Sequence, residues 1–135
     1  MKGILADVNT QGPVEDLIRE MQGAKWVEFW TYLGLALFHF EDVGLRQDAT
    51  DLQIWRKCQE KQLILITDNR NKNSPDSLEA TIQQFNVPES LPVFTIADLR
   101  KFRKSRAYAQ RVLEKLYEFL LDIDRLRGTG RLYLP

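Results

Sequence analysis

Three acidic side chains in this chain sit where apolar segments end or helices begin. Asp7 closes the run KGILADVN with Asn9 two residues on, Asp51 opens TDLQIWRKC, and Asp68 follows LILIT with Asn69, Arg70 and Asn71 directly behind it. Carboxylates and amides gathered in this way suit a hard, oxygen-seeking cation such as Mg2+ or Mn2+. Arg70 could grip a phosphate with two parallel hydrogen bonds, or simply neutralise the acids. Each residue also has a plain structural use. Asp7 and Asn9 are turn-forming types. Thr50 and Gln53 have the spacing of a capping box, and an acid such as Asp51 in a first helical turn gains ~0.3–1 kcal/mol from the dipole alone. Asp76 and Ser77 are expected at a helix N-terminus, where a phosphate contact could also form.

The elements that must position these groups alternate in type. KGILADVN reads as a strand. In GPVEDLIREMQG, Val14, Leu17, Ile18 and Met21 recur at helical spacing, with Pro13 early and Gly23 past the end. KWVEFWTYLG places Trp26, Phe29, Trp30 and Leu33 on one stripe, expected to face the core, and LALFHF is a second strand candidate carrying His39 as a core histidine. A helix from about Thr50 to Glu60 turns Ile54, Trp55 and Cys58 inward. LILIT is continuous rather than alternating, as expected of a strand covered on both faces. Ser74-Pro75-Asp76 reads as a helix start, with Leu78, Ile82 and Phe85 as the buried stripe. LPVFTI is a fourth strand, and one long helix is expected over about 98–126, followed by the arm GTGRLYLP, docked on the domain or used against a partner.

This alternation predicts a three-layer α/β/α sandwich with a short parallel sheet of about four strands and a C-terminal helical extension. The expected organisation is one domain over 1–135, with a core of about 1–97 and a C-terminal helix and arm of about 98–135. In open parallel sheets, ligands bind beyond the carboxyl ends of the strands. Asp7 with Asn9, and Asp68 with Asn69, are placed there. A helix that simply crossed between strands is expected to hold Asp51 at the opposite edge. A loop such as 41–50, carrying the chain across the top first, would bring all three carboxylates together.

Composition narrows the function classes. Nineteen Lys and Arg balance nineteen Asp and Glu, so nucleic-acid binding would need a local basic patch rather than bulk charge. One cysteine and one histidine exclude an intramolecular disulfide and argue against a zinc site of the usual nitrogen and sulfur ligands. With no 18-residue apolar run and no signal peptide in view, a cytoplasmic chain with no membrane contact is expected. No Gly-rich run ending in Lys-Ser or Lys-Thr exists for a P-loop, and no Gly-x-Ser-x-Gly for a serine nucleophile. A phospho-acceptor receiver domain would place its acceptor Asp at a strand end, whereas Asp51 precedes a helix.

ILADVN resembles the opening strand of PIN-like nuclease domains, in which an Asp is followed two residues later by Asn or Ser. ATDLQIWRKCQEKQLILITDNRN is similar to the PIN segment in which an Asp opens a helix that feeds an apolar strand ending in Thr and a further acid or amide. The resemblance spans roughly residues 3–96 and is carried mainly by this second segment. It implies a small, toxin-type or similar divalent-metal-dependent endoribonuclease. Asp7 and Asp51 would be catalytic metal ligands, with Asp68 or Asn69 completing the shell. Asn9, Arg70 and Asn71 would contact the substrate, a single-stranded RNA. The family's last acid usually falls two residues after the Thr, which here is Asn69, with Asp68 one residue early. Its second acid, a Glu on an early helix, has no clear counterpart, Glu28 and Asp42 being candidates by location. The resemblance also leaves room for a homodimer and for a cognate inhibitor protein. The alternative function is a catalytically incomplete PIN-like binding or assembly module.

One further feature bears on a nucleic acid. Arg100, Lys101, Arg103, Lys104, Arg106 and Arg111 fall in a stretch with no acid. Most such runs are solvated helix faces, yet this one could track an RNA backbone, with Tyr108 offering a stacking surface.

Overall fold

The fold is that of a computed structural model, which describes residues 1–8, 10–69 and 76–135 and, for Leu99, the backbone alone. Five strands form one sheet in the order β2-β1-β3-β4-β5, every neighbouring pair parallel. They are β1 (Gly3–Ala6), β2 (Leu37–Phe38), β3 (Leu63–Thr67), β4 (Val93–Ile96) and β5 (Arg131–Leu134). The α-helices are α1 (Gln11–Met21), α2 (Val27–Leu33), α3 (Asp51–Lys61), α4 (Leu78–Phe85), α5 (Leu99–Lys104), α6 (Arg106–Leu121) and α7 (Ile123–Leu126), with a short 3-10 helix at Phe40–Val43.

The central strand β3 is buried at all five positions because each face meets its own helical layer. Ile64 and Ile66 join Ile4, Ala6, Phe94 and Ile96 against α1 and α6, while Leu63 and Leu65 join Leu5 and Val93 against α3 and α4. Period-two alternation therefore assigns every strand residue to a side without leaving either side polar. Burying a Leu or Ile is worth roughly 1.5–3 kcal/mol, so an acid at Ile64 or Leu65 would break the sandwich on the side it faces. At the β1–β2 seam a Cβ on Gly3 would run into the carbonyl oxygen of Ala36, so β1 needs glycine where β2 approaches.

The C-terminal segment differs from the expected long helix and arm. The helix breaks at Ser105, whose side chain accepts from the Tyr108 amide and caps α6, and it ends again at Asp122. The arm docks as β5, pairing Val93 with Arg131 and Ile96 with Leu134, so the sheet gains a fifth strand. Leu134 and the buried stripe of α6, including Val112, Leu113 and Leu116, belong to the same core cluster as β1 and β3.

Other expectations are corrected locally. Helix α2 buries none of its residues, and Phe29 is 39% exposed. Seven residues at the margin of the sheet suffice only to lay Trp26, Trp30 and Leu33 partly against the core, with Trp26 stacked on Tyr117 at 5.5 Å between centroids. Helix α4 starts at Leu78 behind the Ser77 cap, later than the Ser74-Pro75-Asp76 start expected, of which Ser74 and Pro75 lie outside the described residues. His39 is not a core residue; it follows β2, and its ring meets Glu15 of α1 at 2.8 Å while its backbone N–H donates to Asp42 at 2.7 Å. Among the described residues no helix is long and apolar enough to cross a membrane.

Candidate active site

Because the sheet is parallel, β1, β3 and β4 all end at one edge, and the chain leaves each of them with polar residues there. Thr10 closes the turn after β1: its hydroxyl lies 3.2 Å from the carbonyls of both Asp7 and Ile66, tying the end of β1 to the end of β3. Asp7 is thereby held beside Thr67, whose hydroxyl donates to Asp7 Oδ2 at 2.7 Å and accepts from the Asn69 amide at 3.1 Å. The Asn69 carboxamide in turn donates to both oxygens of Asp51, at 3.4 and 3.3 Å. Asp7, Thr67, Asn69 and Asp51 thus form one hydrogen-bonded chain drawn from three distant segments.

Asp51 reaches this edge by a shorter route than expected. A helix following a parallel strand runs back antiparallel to it, so its N-terminus already lies at the carboxyl edge and its C-terminus at the amino edge. The Asn69–Asp51 contact fixes one end of α3, and the Gln59–Leu91 pair, with the side chain donating to the Leu91 carbonyl at 3.0 Å and accepting its N–H at 2.9 Å, fixes the other next to the start of β4. No excursion of loop 41–50 is required. The capping box is also real: Thr50 Oγ1 accepts from Gln53 N at 3.2 Å and Gln53 Oε1 accepts from Thr50 N at 2.9 Å. Asp51 is therefore not needed as the cap, and its carboxylate faces Asn69 instead.

Asp7 is only 8% exposed and Thr67 fully buried. A buried carboxylate is costly unless hydrogen bonded, which the Thr67 hydroxyl accomplishes. Asp68 is half-buried, next to the chain but outside its hydrogen bonds. Asn9, Arg70 and Asn71 lie outside the described residues. Of the two candidates for an early acid, Glu28 is exposed on α2, while Asp42 is engaged with His39 in the 3-10 helix after β2.

Among the described residues no group of three or more His, Cys, Asp or Glu side chains stands close enough to hold a metal ion. The donor set at the edge is nonetheless compatible with a hard cation. Mg2+ keeps several waters and takes only one or two carboxylates from a protein, the rest coming from substrate phosphates. Two carboxylates and an amide are donors of the type such a cation takes, and half a turn of the Asn69 carboxamide would present its oxygen instead of its NH2. Cys58 does not supply a nucleophile, because burial, with a smaller effect from the Asp7 charge, pushes its thiol up to about 12.

The sequence reading missed three contributors. Thr10 lacked any signal beyond its place after the first strand. Glu79 and Arg131 form a 3.0 Å ion pair in which the arginine side chain is only 6% exposed. Tyr108, read as a stacking surface, is buried, and its hydroxyl donates to the Pro135 carbonyl. It cannot stack on a base. Lys101 and Arg111 lie against its ring at 5.1 and 5.6 Å.

No family profile, no curated protein and no solved structure matches this chain.

Proposed function

We propose that this chain is a PIN-like, metal-dependent ribonuclease whose site is the carboxyl edge of the sheet, with Asp7 and Asp51 as the metal-holding carboxylates. The observation that carries this reading is the hydrogen-bonded chain Asp7–Thr67–Asn69–Asp51, which gathers two acids and an amide where parallel α/β folds bind ligands. Thr67 orients one carboxylate and Asn69 the other, so both are held in place without a covalent nucleophile. Asn69 or Asp68 completes the set of oxygen donors. Mg2+ or Mn2+ bound there would lower the pKa of a water and offset charge on the phosphodiester.

The basic segment supplies the substrate side of the proposal. Helix α5 leaves β4 at the same edge, and Arg100, Lys101, Arg103, Lys104 and Arg106 are all exposed. None of the five makes an ion pair among the described residues. Arg103 lies over the first turn of α1, where a Cβ on Gly12 would meet its guanidinium. Arg103, Lys104 and Arg106 line a cavity with Asp16, Arg19 and Glu20 of α1, and cations there would neutralise phosphates of a bound RNA.

A second reading, a binding module without catalysis, is favoured by one observation: no third acid joins Asp7 and Asp51 among the described residues. Titration with Mn2+ separates the two. A ligand at a hundredfold excess over its Kd stabilises by about 2.7 kcal/mol, enough to raise Tm by several degrees. The nuclease reading expects that rise in the wild type and its loss in Asp7→Asn; a Tm that Mn2+ leaves unmoved favours the module.

A further inference from the structure

Arg131 sits on the last strand, at a register opposite Val93, yet its guanidinium reaches along the sheet to Thr95 and to the chain just past the end of β3. Nη1 donates to the Asn69 carbonyl and to Thr95 Oγ1, both at 2.7 Å, and Nε pairs with Glu79 at 3.0 Å. Nη2 is buried with no partner among the described residues. A buried guanidinium with an unmet donor is an unfavourable element to keep for packing alone. What it accomplishes is specific. The Asn69 peptide is held from both sides, its N–H by Thr67 at 3.1 Å and its carbonyl by Arg131 at 2.7 Å. With the backbone so fixed, the Asn69 carboxamide is aimed at Asp51.

We infer that Arg131 is a positioning residue for the candidate site: through the Asn69 carbonyl it sets the orientation of the Asn69 side chain against Asp51, so that docking of the C-terminal strand helps to build the site. The effect on metal affinity rests on the metal-site reading above; the positioning of Asn69 does not. Lysine cannot substitute. One ammonium cannot reach Glu79, Thr95 and the Asn69 carbonyl with the fixed fork that guanidinium provides. Residues that orient metal ligands typically change affinity about 10–100-fold when altered.

The test compares Arg131→Lys with Glu79→Gln. Both weaken the Arg131–Glu79 pair and both lower stability, but Glu79→Gln leaves the bond from Arg131 to the Asn69 carbonyl. Two readouts are taken on each folded full-length protein: the side-chain NH2 resonances of Asn69 by NMR, and the Kd for Mn2+ alone by calorimetry. Arg131→Lys should shift the Asn69 resonances and weaken Mn2+ binding at least about tenfold, while Glu79→Gln leaves both near wild type despite its lower Tm. Unshifted Asn69 resonances in Arg131→Lys, or equal shifts in the two variants, would overturn the inference and leave Arg131 a structural residue. Wild type that binds no Mn2+, with the Asn69 shift present only in Arg131→Lys, would uphold the positioning role and defeat the metal-site reading instead.

Discussion

The Thr67 hydroxyl donates to Asp7 Oδ2 at 2.7 Å across sixty positions of sequence, joining the ends of β1 and β3. Both residues are buried. Replacing Thr67 with Val keeps the shape and removes the donor, leaving the carboxylate less well compensated, which costs about 1–3 kcal/mol. Urea denaturation at neutral pH should show that loss for Thr67→Val and a smaller one when Asp7→Asn is already present. Additive losses would mean that the two groups do not interact.

Glu15 gives the protein an acid-sensitive contact. Its hydrogen bond to His39, then that to Gln11, hold its carboxyl below the usual glutamate value. A lowered folded-state pKa contributes stability that is present above the unfolded value and disappears as pH falls through the folded one. Glu15→Gln should therefore flatten the stability profile on its acid limb, below about pH 4.5. A chemical-denaturation series from pH 3 to 7 reads this directly. An acid limb identical to wild type would show that the Glu15–His39 contact adds nothing to folding.

Cys58 should behave as a buried hydrocarbon rather than a thiol. Burial pushes it up to about 12, and at pH 8 that leaves about a thousandfold less thiolate than in an unfolded chain. Labelling with a thiol reagent should be slow in the native protein and become fast in denaturant. Rapid native labelling would place the thiol at the surface, against its 2% exposure.

The basic segment gives a salt-dependent prediction. Arg103 and Lys104 are exposed, so changing both to Gln should cost no more than about 1 kcal/mol of stability. If each contacts a phosphate of single-stranded RNA, the slope of log K against log salt should fall by about 1.4 in magnitude. Fluorescence anisotropy over a range of salt measures it. A slope equal to wild type would remove these two cations from the RNA path.

What could be read from sequence follows the range of the interactions involved. β3 was legible because a continuous apolar run has only one comfortable place, between two helical layers. Asp7 and Asp51 were set at one edge only on the condition that loop 41–50 carried the chain across the top. The route of Asp51 to that edge was misjudged by neglecting that a crossover helix runs back against its strands. Arg131 was not legible: its partners Glu79 and Asn69 lie 52 and 62 positions away, and the short alternation of Leu132 and Leu134 in the tail marks a strand without saying what its arginine meets. The break at Ser105 did have a signal, since Ser interrupting a basic helix is a preferred N-cap. α2 misled because a stripe of aromatic residues says that a face is apolar, not how much of it the fold can cover.

The most direct test of the proposed activity is cleavage of single-stranded RNA by wild type, Asp7→Asn and Asp51→Asn, purified in parallel and assayed with Mn2+, with Mg2+, and with EDTA. The account predicts metal-dependent cleavage by the wild type, stopped by EDTA and reduced to background in both variants. Equal cleavage by all three proteins, or none by a wild type that is fully folded, would contradict it.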